Sequence, residues 1–90
     1  MQKRKSGKKL IIIYILNILK ALSSAENPVS QTAICNYLND IQIACDRKTV
    51  GRNIGYLQKF GYPIKRIERK GYYLDFAEME KIRAEKRFVI

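Results

Sequence analysis

This sequence has no histidine and no tryptophan. Without imidazole it cannot assemble a Ser/His/Asp or Cys/His catalytic set, and its two cysteines fall short of the ligands a structural zinc needs. Acids are scarce too, eight Asp and Glu against eighteen Lys and Arg, and they are scattered rather than paired for acid–base work. The five glycines stand singly, so no glycine-rich loop cradles a phosphate. What is missing leaves little for catalysis, and a non-enzyme without cofactor, metal or small-molecule ligand is expected. Cys35 and Cys45 lie far from a CxxC spacing. They read as a buried small apolar residue and a turn residue, with a redox pair as the alternative.

Long apolar runs are lacking as well. The longest, Leu10 to Leu22, is interrupted by Asn17 and Lys20, and its thirteen residues fall short of the roughly 20 that span a bilayer. Its basic lead from Lys3 and the following Ser23-Ser24-Ala25 imitate a secretion signal. Cleavage there would remove a helix that so small a core requires. A cytoplasmic location without membrane association is therefore expected.

Positive charge is what the chain does have. Ninety residues make one small domain with a net charge of +10. Residues 3–9 carry five positives and no acid, and residues 47–70 carry eight positives and one acid, Glu68. Two basic clusters flanking an apolar middle point to a polyanionic partner. Basicity kept only for solubility is the plain alternative.

The spacing predicts four helices and one hairpin. Met1 to Gly7 reads as a basic flexible arm. A first helix runs from Lys8 to about Leu22, with Ile12, Leu16 and Leu19 as one apolar stripe and Ile11, Ile15, Ile18 and Leu22 as its neighbour. Two stripes exceed what one core face needs, so part of this helix is expected to be central or to meet another subunit. Pro28 ends the following loop, and Ser30 can cap a second helix from Gln31 to about Asn39 with Ile34, Cys35 and Leu38 inward. After a turn over residues 40–45, Asp46 can cap a third helix, Arg47 to about Phe60, which Gly61 can end in a left-handed conformation. Pro63 opens an extended segment, Ile64 to Glu68. Arg69-Lys70-Gly71 turns it and Tyr72-Tyr73-Leu74 returns it. Asp75 and Glu78 have capping-box spacing and open a last helix to about Phe88.

The third helix is the most informative. Val50, Ile54 and Leu57 share one face, which leaves Arg47, Lys48, Thr49, Arg52, Asn53 and Tyr56 on the others. An apolar inner face with Arg, Lys, Thr and Asn outside suits a helix lying in a DNA major groove. Three helices followed by a hairpin describe a winged helix-turn-helix, mainly α with a small β hairpin, over residues 8–75. Residues 76–90 then form a C-terminal helix for dimerisation or linkage.

Residues 8–74 resemble the N-terminal DNA-binding domain of the WYL-domain transcriptional regulators, a group close to the DeoR-like winged helices. The likeness rests on Asn27-Pro28-Val29-Ser30 after the first helix, then CDRKTVGRNIGYLQKFGYPI, then KGYYL. The tail FAEMEKIRAEKRFVI resembles a shortened form of that family's linking helix. Two departures matter. Asn53 stands where the family commonly has Asp, which removes a negative charge and leaves an amide able to read adenine. No WYL domain follows within these 90 residues, so no ligand-sensing role carries over.

Each residue then has an expected role on double-stranded DNA. Arg47 and Lys48 contact phosphate or the groove edge, Thr49 a phosphate or a thymine methyl, Arg52 guanine, and Asn53 adenine. Tyr56 either reaches the DNA backbone or packs its ring on the domain. Lys65, Arg66, Arg69 and Lys70 on the hairpin take phosphates or the minor groove. A homodimer is expected, with Ile11, Ile15 and Ile18 and the last helix (Phe76, Met79, Ile82, Arg83, then Phe88-Val89-Ile90) as its contacts; folding of that helix onto the first one within a single chain is the alternative. A DNA-binding transcriptional regulator is the leading function. A small phage or mobile-element protein that binds a protein partner through this scaffold and a sequence-independent nucleic-acid binder are the others.

Overall fold

In the computed structural model, which describes residues 7–85 and side chains from Leu10 onward, the first helix, α1, spans Gly7–Leu22. Residues 1–6 of the expected arm and Phe88-Val89-Ile90 lie outside the described residues. Ile11, Ile15 and Leu19 recur at helical spacing and are buried, while Ile12, Leu16 and Ile18 flank them half-buried. This corrects one expectation. Ile11 and Ile15 are core residues of the chain itself and are not open to a second subunit, because α1 lies against α2 (Gln31–Asp40), α3 (Arg47–Phe60) and β2 (Gly71–Leu74) at once. Among the described side chains, the large apolar residues that α1 leaves exposed are Leu10, Ile13 and Leu22. Among the described residues no helix is long and apolar enough to cross a membrane.

Local chemistry sets the ends of α2 and α3. Ser30 has extended backbone, and its hydroxyl accepts the Ala33 amide hydrogen at 3.0 Å. Asp46 does the same for Thr49 at 2.8 Å. Each satisfies a donor that the first turn leaves without a helical partner. The α2 terminus is closed by Gln42 at φ 70°, with Ile43 N–H donating to Leu38 O at 2.8 Å and Gln42 N–H to Asn39 O at 2.9 Å. Gly61, at φ 112°, closes α3 in the same way, with Tyr62 N–H donating to Leu57 O at 3.1 Å. Both thiols lie near this junction: Cys35 is buried on α2, and Cys45 is half-buried before α3, where its thiol donates to Asp46 O at 3.5 Å. Burial is the main cause that raises both, Cys45 to about 11, so both stay protonated at neutral pH.

Strand β1 (Ile64–Ile67) pairs antiparallel with β2, from Ile64 opposite Leu74 to Ile67 opposite Gly71. Glu68, expected in the strand, belongs to the turn. Val29, just before α2, exchanges two hydrogen bonds with Tyr72, at 2.7 and 2.9 Å. Gly71 makes this approach feasible: its φ is 138°, and a Cβ there would strike the backbone of Val29 and Ser30. At the far end of β2, Ser23 is buried, donates to Leu19 O at 2.6 Å and accepts from Leu74 N–H at 2.9 Å.

The last helix, α4, spans Phe76–Ala84 and stops short of the expected Phe88, with Glu85 N–H donating to Lys81 O at 3.0 Å. Its capping box is half formed. Glu78 N–H donates to Asp75 at 3.0 Å, but the Asp75 amide goes to Pro63 O at 2.9 Å and the Glu78 carboxylate to Lys65 at 3.0 Å. Met79 and Ile82 are buried in the chain itself, which corrects their expected role in a dimer contact; Phe76 and Arg83 are exposed.

Candidate nucleic-acid interface

Burial of Val50, Ile54 and Leu57 decides what α3 shows to solvent. At 3.6 residues per turn the opposite stripe is Lys48, Arg52, Gly55 and Lys59, with Tyr56 beside it. Lys48, Arg52, Tyr56 and Lys59 are exposed, and about half of the Tyr56 side chain is open to solvent. Thr49 and Asn53 lie on the flank, half-buried. The Thr49 amide donates to Asp46 and, with the Thr49 side chain, holds that carboxyl below the ordinary carboxylate range, with smaller help from Arg52 and Lys48. Asn53 Nδ2 donates to Thr49 O at 2.9 Å. Reading adenine with both amide groups would require that bond to rearrange.

The hairpin brings a second set. Arg66, Arg69 and Lys70 line one open cleft together with Arg47 of α3 and Ser30, Gln31 and Thr32 at the start of α2. Arg47 and Gln31 also line the neighbouring cleft with Asp46 and Lys48, which makes the two surfaces continuous. Gln31 holds this corner: its Nε2 donates to Arg47 O at 3.3 Å, in space that a side chain at Gly51 would fill. Arg69 sits at the hairpin tip with φ 69°, a backbone region that costs a residue with a Cβ roughly 1–2 kcal/mol. Lys65 stands apart from this set. It pairs with Glu78 at 3.0 Å, and that hydrogen bond raises its pKa.

Ion pairing separates the two kinds of cation. Among the described residues the side-chain pairs are Lys65 with Glu78 and Arg83 with Glu80. Arg47, Lys48, Arg52, Lys59, Arg66, Arg69 and Lys70 enter neither. Like charges on neighbouring elements repel, and a polyanion relieves that repulsion with release of its counterions. No protein-family model, curated protein or solved structure matches the chain.

The expected site residues thus fall into three groups. Lys48, Arg52 and Tyr56 share the α3 stripe; Arg47, Arg66, Arg69 and Lys70 share the cleft; Thr49, Asn53 and Lys65 are engaged within the chain. Sequence reading missed Lys59 and Gln31. Lys59 stands seven positions after Arg52, a same-face spacing that was available as a signal. Gln31 had none, because its partner is sixteen positions away.

Proposed function

We propose that this chain is a winged-helix DNA-binding domain of a transcriptional regulator, akin in design to the DNA-binding domains of WYL-domain regulators. Helix α3 lies in the major groove, with Arg52 as the guanine reader and Lys48 and Lys59 at the groove walls. The hairpin cations and Arg47 hold the adjoining phosphates. The observation that carries this reading is the continuous set of cations on α3 and the hairpin, set around the start of α2, that enter no ion pair among the described residues. A small domain reads few base pairs, so we propose a dimer on paired half-sites, through a surface other than Ile11 and Ile15.

One observation favours a second reading. Tyr56 and Phe60 are 49% and 62% exposed, one turn apart and next to Lys59. Exposed aromatic rings among cations stack on unpaired bases, which suits a single-strand binder without sequence preference. Selection from a random duplex pool, followed by salt titration and competition with single strands, separates the two. A recovered motif bound more tightly than random duplex supports the regulator. Preference for single strands with no recovered motif overturns it.

A further inference from the structure

Gly55 lies in the middle of α3, where glycine is the least favourable residue for a helix apart from proline. The fold does not explain it. A Cβ added at Gly51 would collide with the Gln31 side chain, but one added at Gly55 meets nothing within 4 Å. Its backbone is ordinary helix, so no turn demands it. Arg52 and Lys59 stand one turn to either side of it and Lys48 two turns before it, all exposed. Gly55 is therefore a gap in the side-chain cover of α3, at the centre of its cationic stripe. A helix gives up local stability in this way where something outside the chain must come close to its backbone.

We infer that Gly55 is the point at which the edges of DNA base pairs approach the backbone of α3, so that the absence of a side chain sets how deep the helix sits in the groove. This rests on the DNA-binding reading above. The flanking cations favour a duplex over a packed protein helix as the occupant, because their charges would be costly to bury against a neutral surface.

The consequence is a pair of effects with opposite sign. Gly55→Ala adds a methyl that the free chain accommodates, so the thermal midpoint rises by about 3–8 °C. The same methyl holds the groove away, and affinity for the selected duplex falls about tenfold, as a displaced base contact would cost. No charge is removed, so the salt slope stays that of the parent chain. Gln42→Gly is the control. It relieves a left-handed backbone in the turn before α3, outside the stripe, so it raises the midpoint and leaves affinity unchanged.

These quantities are read on the full 90-residue chain, by circular-dichroism melting and by fluorescence anisotropy over a salt series. A Gly55→Ala chain that is more stable and binds within about twofold of the parent overturns the inference. A less stable Gly55→Ala chain overturns it as well, since glycine would then serve the fold. A parent chain without duplex preference fails at the earlier step and removes the DNA-binding reading and this inference together.

Discussion

At the scale of single residues, Ser23 joins the two ends of the fold. Its hydroxyl receives the amide hydrogen of Leu74, fifty-one positions away, within a buried environment. Ser23→Ala strands that donor and should lower unfolding free energy by about 1–3 kcal/mol in urea titration, a loss that a generic loop serine would not produce. Arg52 and Lys70 make a matched test on the binding side. Arg52→Ala should weaken the selected duplex by about 1–3 kcal/mol while changing random DNA much less. Lys70→Ala should weaken both alike and reduce the salt slope by about one charge; a slope that stays put would mean that the hairpin is off the DNA. Residues with local partners were readable beforehand. Ser30, Asp46 and Gly61 act within a few positions of themselves, so their roles follow from side-chain type. Ser23 and Gln31 act across the fold, and nothing near them in sequence announces it.

Whole elements respond through their ends. The folded-state pKa of Asp46 is depressed below its ordinary value, so the ionised cap stabilises α3 above the carboxylate range. That contribution disappears as pH falls through the lowered folded-state value. Asp46→Asn keeps a side-chain acceptor for Thr49 but has no proton to take up. The stability gap between parent and variant, followed by chemical denaturation from neutral pH down to about pH 2, should therefore narrow or change sign, and a constant gap would exclude the cap as an acid-sensitive contact. In the hairpin, Gly71→Ala meets both a left-handed backbone and the Val29 main chain. It should cost about 3 kcal/mol or more in denaturant titration and disorder the basic tip with it. Helix and strand positions were visible in the sequence because periodicity and caps agree there. The reciprocal arm of the α4 capping box was not, because Glu78 finds Lys65 from another element and Asp75 turns its amide to Pro63.

For the molecule as a whole, α4 belongs to the fold. Met79 and Ile82 bury their side chains in the chain, and Arg83 lies close enough to lower the Tyr62 pKa that burial raises. Removing residues 76–90 should lower stability by roughly 3–6 kcal/mol, counting about 1.5–3 for each of those two side chains. A melt that shows no such loss would return α4 to the role of a linker. Two adjacent apolar stripes on α1 were plain in the sequence, but which of them faces inward depends on where α2, α3 and β2 land, and period alone carries no such information. The same limit held at the candidate interface. Charge clustering was visible, but pairing of Lys65 with Glu78 and convergence of Arg47 with the hairpin required the tertiary arrangement.

The bridge between Val29 and Tyr72 has a further consequence, for self-association. A two-stranded hairpin alone offers two unpaired edges to any passing strand, which is how many β proteins begin to aggregate. Here Val29 occupies the outer side of β2, so the open edge is β1. That edge carries Arg66, which enters neither ion pair, and Lys65, which Glu78 partly offsets. A second copy adding its own β1 would set cations beside cations, and the repulsion works against the sheet extending from chain to chain.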